Sequence, residues 1–162
     1  MIYFMRHGQD DENYVGGWSD VPLITSGEEE VLETANIVNN VLKVDISLDS
    51  NLREQNKGLL NGLLKDIAYN KYPGFKDGEI TVDTVFPEGE SLRDLYNRIK
   101  DYFNDITELE DDTLIITHRG VINMIYYLLY DKEVDIDKKQ FGVTTASIHE
   151  LDKTKKAIRK VR

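Results

Sequence analysis

The 162-residue sequence contains no cysteine. That excludes disulfides, thiol nucleophiles and zinc–thiolate centres together. It is compatible with a reducing cytoplasm, the expected location. No apolar run is long enough to span a bilayer, and the opening MIYFMRHG lacks the basic lead and small-residue cleavage site of a secretory leader. Positive charge is also short: 20 Lys and Arg stand against 30 Asp and Glu, a net charge of −10. Such a surface repels nucleic acid and anionic membranes, so neither is expected as a partner. It also repels an anionic substrate, so a site for one must be locally basic. There is no Walker loop and no dinucleotide fingerprint. The three histidines show no metal-ligand spacing with carboxylates. The acidic runs Asp10-Asp11-Glu12 and Glu28-Glu29-Glu30 read as solvated faces rather than cation sites.

What is present fits a single domain over residues 1–162. Residues 2–5 form a short apolar run that stops at Arg6-His7-Gly8, as a buried strand does when it delivers polar residues at its end. Residues 9–24 are loop-like. Apolar positions Val31, Leu32, Ala35, Val38 and Leu42 lay one stripe along a helix over 27–43. Val44, Ile46 and Leu48 alternate with polar residues, which predicts a short half-buried strand, followed by a turn region around Leu52-Arg53-Glu54. Residues 63–90 form an excursion with a short helical piece. Ser91 and Asp94 make a capping-box start for a helix with an apolar stripe from Leu92 to Ile106. Thr113–Thr117 is a second buried strand, and it too stops at a histidine, His118. Gly120 leads into an apolar helix ending near Tyr130, and Thr145–Leu151 is the last strand. The basic tail from Lys153 reads as a solvated edge. Alternating strands and helices predict an α/β layered domain with a mostly parallel sheet, and function collects at the carboxyl ends of such strands.

The chemistry-bearing residues fall at those ends. A neutral imidazole at His7 can attack phosphorus directly. Gly8 permits close backbone approach, and Arg6 offers a planar fork of donors suited to phosphate. His118, beside Arg119 and Gly120 at a helix start, sits where backbone N–H groups and the helix dipole favour an anion; the bland alternative is a capping histidine. Glu54 is a candidate acid for a leaving alcohol, a role that calls for a carboxyl with a raised pKa. His149, in a late strand, reads as structural.

These residues resemble the histidine phosphatase superfamily, also called phosphoglycerate-mutase-like. Arg6-His7-Gly8 looks like its signature. Asn13, Gly17-Trp18, Asp20, Pro22-Leu23 and Gly27 follow in the order of the family's first loop. Thr34-Ala35, Leu52-Arg53-Glu54, Gly58, Pro87, Gly89-Glu90-Ser91, Arg98 and Thr117 to Ile122 resemble its later blocks. The resemblance implies a three-layer α/β/α fold with 63–90 as a cap-like insertion over the site. It implies a metal-independent phosphatase with no cofactor, acting on a small phosphorylated metabolite. His7 becomes the phosphohistidine, Glu54 the general acid and base, and Arg6 and His118 hold the phosphoryl oxygens. Asn13, Gly17 and Arg119 add donors.

One stretch departs from the pattern. The family's second strand and its phosphate-binding arginine fall between the first loop and the Thr-Ala pair. Here Gly27 runs almost directly into Thr34-Ala35, and Glu30 takes the arginine's place. The expectation is an internal deletion, a fold lacking one strand, reduced activity, and an exposed apolar surface that favours a homodimer. Three alternatives stay open: a weak or inactive phosphate-binding member of the fold, a phosphoglycerate-type mutase, and a metal-dependent hydrolase.

Overall fold

The computed structural model describes residues 1–9, 27–76 and 78–162. Strands β1 (Ile2–Arg6), β2 (Thr113–Thr117), β3 (Ile148–Asp152) and β4 (Ala157–Lys160) form one sheet in the order β2-β1-β3-β4. β1 and β2 are parallel, whereas β3 runs antiparallel to both β1 and β4. Helices α1 (Gly27–Leu42), α2 (Lys65–Lys71), α3 (Leu92–Glu108) and α4 (Arg119–Leu129) complete the α/β arrangement. The class is the expected one. Its parallel component among the described strands is the β1/β2 pair, which also carries the two histidines. No helix among the described residues is long and apolar enough to cross a membrane.

Packing follows the sequence periodicities. Burial alternates along β1, with Ile2, Phe4 and Arg6 buried and Tyr3 and Met5 half-buried, the period of two that a strand imposes. Ile2 and Phe4 join Leu95, Ile99 and Ile106 of α3, Val121, Ile122 and Ile125 of α4, and Leu151 and Ile158 of β3 and β4 in the main core. α4 is buried continuously from Val121 to Tyr127, including the polar Asn123, whose Nδ2 donates to Lys138 O at 3.2 Å. α3 starts at the anticipated capping box: Ser91 Oγ accepts from Asp94 N, and the Asp94 carboxylate accepts from Ser91 N. Such a cap contributes about 1 kcal/mol. His149 is fully buried, with Tyr126 Oη 2.8 Å from Nδ1 and Ser147 Oγ 2.8 Å from Nε2. Burial, with a smaller effect from Lys160, brings its pKa down to about 4, so it is a neutral structural residue at physiological pH.

Two expectations fail. Residues 44–48 form no strand, and Val44, Ile46 and Leu48 are exposed. α1 ends with Lys43 in the left-handed region at φ 54. The Asn39 side chain then accepts from Val44 N at 2.8 Å and donates to Val44 O at 2.9 Å. Both backbone groups that a ladder needs at Val44 are thereby occupied, and alternation without a partner edge does not make a strand. The tail is the second failure. It is not merely a solvated edge, since residues 157–160 form β4, with Ile158 buried in the core.

The excursion has its own small core. Leu60, Ala68 and Phe86 are buried together, with Tyr69, Tyr72 and Phe75 packed against them. It closes where the chain crosses itself at two glycines. A Cβ on Gly58, whose φ is +54, would lie 1.9 Å from Pro87 O, and one on Gly89 would lie 2.5 Å from Asn56 O. No side chain fits between those backbones.

Candidate active site

The parallel register fixes where the histidines go. Arg6 pairs with Thr117, so the next residue of each strand lies beside the other at the carboxyl ends, where neighbouring strands run about 4.8 Å apart. His7 N donates to Thr117 O at 3.0 Å. The His7 and His118 ring centroids are 5.0 Å apart with their planes at 62°, and both residues are 4% exposed. His118 leads into α4 in extended backbone, and its ring makes no capping hydrogen bond, which sets aside the capping alternative. Arg6, the last residue of β1, is buried. Arg119, the first residue of α4, is half-buried, and its Nε has no hydrogen-bond partner among the described residues. Asn13 and Gly17 lie outside the described residues.

Glu54 comes to the pair from the segment after the short 3₁₀ turn Ser50–Leu52. Its Oε1 accepts from Gln55 N at 2.9 Å and its Oε2 from Gly120 N at 3.1 Å. Burial alone would raise its pKa. The nearby His118 charge, the two N–H donors and Lys57 outweigh that and hold it below the usual carboxylate range. The expectation of a raised pKa is therefore corrected: in the free protein Glu54 is ionised. The start of α4 is likewise not simply a vacant anion seat, since the Gly120 N–H already serves the protein's own carboxylate.

The segment carrying Glu54 is fastened from two elements. Thr117 Oγ1, at the end of β2, donates to Leu52 O at 2.7 Å. Arg98, on α3, donates from Nη1 to Asn51 O and Arg53 O at 2.6 and 3.1 Å, and from Nη2 to Glu54 O at 3.3 Å. Its Nη2 also donates to Glu90 Oε1 at 2.8 Å, and that oxygen accepts from Asn56 N at 2.8 Å.

Glu30 also reaches the pair. It is buried on α1, and its Oε2 lies 3.8 Å from His7 Nδ1. Thr34 sets this approach: its Oγ1 donates to Glu30 O at 2.7 Å and accepts from Gly8 N at 2.9 Å. The helix is thus pinned to the residue after His7. Glu30 does not lie on a solvated face, so that reading of the acidic run is corrected for this residue.

Comparison with known proteins decides the family. The model of the histidine phosphatase superfamily (branch 1) matches residues 31–162. The chain belongs to the histidine phosphatase superfamily. The probable phosphoglycerate mutase GpmB of Escherichia coli is 26% identical over 147 residues, covering 72% of this chain and 68% of that protein. The alpha-ribazole phosphatase from Shigella flexneri superposes with a TM-score of 0.75 at 15% identity, covering 98% of this chain and 93% of that one. A mycobacterial glucosyl-3-phosphoglycerate phosphatase in complex with VO3 gives 0.73 at 19%, covering 98% and 94%. The solved structures share the fold of this superfamily member. The matched stretch contains Glu54, His118 and Arg119 and begins just after Glu30. His7 precedes it and reaches the site through the pairing of β1 with β2.

Sequence reasoning had no role for Thr34, Thr117, Glu90 or Arg98, nor for Gly120 as a partner of Glu54. Their signal was present, since each falls within an ordered block shared with the superfamily. What each one touches is a group distant in sequence, which a linear pattern does not reveal.

Proposed function

We propose that this superfamily member hydrolyses a small phosphate ester through a phosphohistidine on His7, without a metal. The observation that carries the reading is the meeting of the His7 and His118 rings, 5.0 Å apart, with the Glu54 carboxylate held beside them. His7 Nδ1 faces Glu30 Oε2 at 3.8 Å, and the attack on phosphorus is assigned to Nε2, the ring nitrogen on the other side. Arg6, His118 and Arg119 stabilise the phosphoryl oxygens as charge redistributes, with Asn13 and the Gly17 backbone as further donors. The nitrogen–phosphorus bond forms as the phosphorus–oxygen ester bond breaks, and the leaving oxygen takes a proton from Glu54. Because Glu54 is ionised in the free protein, that proton arrives with the substrate monoanion, whose second ionisation lies near pH ~6. Water then attacks phosphorus, Glu54 accepts its proton, and the nitrogen–phosphorus bond breaks. Residues 63–90 form the roof that selects the substrate.

The test is phosphate release from p-nitrophenyl phosphate and a panel of phosphorylated metabolites, with chelator present. Turnover that His7→Ala abolishes supports the reading, and turnover that survives it sinks the reading. Activity lost to chelator alone points to a metal-dependent hydrolase.

Glu30 favours a second reading, a weak or inactive phosphate-binding member. A carboxylate beside the nucleophile repels a phosphate dianion. A folded protein that binds phosphate without turning over any ester would establish it. The likeness to GpmB raises the mutase reading, which calls for a bisphosphate primer and little phosphate release. The exposed Ile37, Val41, Val44 and Leu48 support a homodimer, and sedimentation velocity across a concentration series tests it.

A further inference from the structure

We infer that Gly120 is a positioning residue, whose missing side chain is what lets the Glu54 carboxylate sit against the start of α4. The inference rests on the phosphatase reading and adds to it the reason the acid is where it is. Glu54 Oε2 accepts from Gly120 N at 3.1 Å. A Cβ built on Gly120 would lie 2.0 Å from Glu54 Oε1, 3.0 Å from Cδ and 3.2 Å from Oε2. An alanine methyl and the observed carboxylate therefore cannot share that space, and the flexible side chain is what moves.

Nothing else in the backbone asks for glycine here. Gly120 is the second residue of α4, in helical backbone open to any L-residue. Alanine is the best helix former and glycine among the worst. On stability alone, alanine would be the better residue at this position, and glycine trades stability for the placement of Glu54. The carboxylate that moves off Gly120 also loses one of the donors that keep it ionised.

The experiment compares the wild type, Gly120→Ala, Glu54→Gln and the double variant on alkyl and p-nitrophenyl phosphates, with thermal melts of each. Gly120→Ala is expected to keep or raise Tm, to leave KM unchanged, and to lower kcat on alkyl phosphates by roughly ten- to a hundredfold, with a smaller loss on p-nitrophenyl phosphate. The acidic limb of its kcat/KM profile moves to higher pH. In the Glu54→Gln background the same substitution is expected to add no further loss. Wild-type kcat on alkyl phosphates in Gly120→Ala overturns the inference, and so do losses that multiply in the double variant. Gly120→Ser supplies a second Cβ if the alanine variant melts early, and it must show the same leaving-group dependence. The His7→Ala control separates the two ideas: if it still turns over, the phosphatase reading has failed; if it is dead while Gly120→Ala behaves as wild type, only the role of Gly120 has.

Discussion

Glu54 and Glu30 flank the same pair of imidazoles, from parts of the chain held in place very differently. The Glu54 segment is tied by Arg98 through three backbone carbonyls, by Thr117 through a fourth, and by two N–H groups on the carboxylate itself. Glu30 sits on α1, which Thr34 joins to Gly8. The outer residues of that helix, Ile37, Val41 and Leu42, are 61%, 81% and 51% exposed. The half of the site that matches the superfamily is thus the firmly built half. The half where the chain departs from it carries an acid where a phosphate-binding arginine is expected. Under the proposed function, the candidate acid–base group is held in a fixed geometry, and phosphate affinity is the expected weak point.

The largest expected effect tests the firm side at its centre. Glu54→Gln lowers kcat on alkyl phosphates by about a thousandfold and on p-nitrophenyl phosphate by about tenfold, since a good leaving group needs little protonation. Equal losses on both would contradict the acid role. The same chemistry fixes the wild-type pH dependence. With Glu54 ionised, the reactive substrate is the monoanion, so kcat/KM falls tenfold per unit above pH ~6. A profile flat to pH 8 would mean the proton comes from elsewhere.

Next is the fastening itself. Arg98→Ala leaves three carbonyls without their donor and a part-buried Glu90 carboxylate without its cation. It is expected to cost about 3 kcal/mol in urea unfolding and to lower kcat on alkyl phosphates. On the other side, Thr34→Val removes one donor and one acceptor and costs about 1 kcal/mol. Equal costs would erase the contrast between the two halves.

How far the sequence reached tracks the same contrast. β1, β2, α3 and α4 were readable because their signals are local: short apolar runs ended by Arg-His or Thr-His, a capping box at Ser91, and a strongly apolar stretch from Val121. The convergence of His7 and His118 was readable too, because two strands that end in histidine meet once they pair in parallel. Residues 44–48 misled because a strand is defined by its neighbour, and Asn39 engages the backbone of Val44 first. β4 was missed because Ala157–Lys160 is outwardly charged and only Ile158 faces the core. The ionised state of Glu54 was out of reach, since it is decided by His118 and Gly120, more than sixty residues away.

The smallest rate effect expected is at Glu30, and it decides what that acid does. Glu30→Gln keeps the shape and removes the charge. The incoming phosphoryl group lies one imidazole ring away from the carboxylate, on the far side of His7. At an effective dielectric of about 20, removing a charge at such a distance relieves roughly 1–2 kcal/mol of repulsion toward the reactive phosphate monoanion. That corresponds to about a tenfold rise in kcat/KM at neutral pH. Glu30→Arg should rise further, because it adds a planar donor fork where the superfamily carries one. A fall on Glu30→Gln, with the fold intact, would mean that the carboxylate orients His7 through Nδ1 and works for the nucleophile rather than against the substrate. The two glutamine variants therefore carry opposite expected signs at one histidine pair: loss for the seated acid, gain for the misplaced one. Two losses would make both glutamates part of the machinery, and the departure from the superfamily pattern would then be a replacement rather than a deficit.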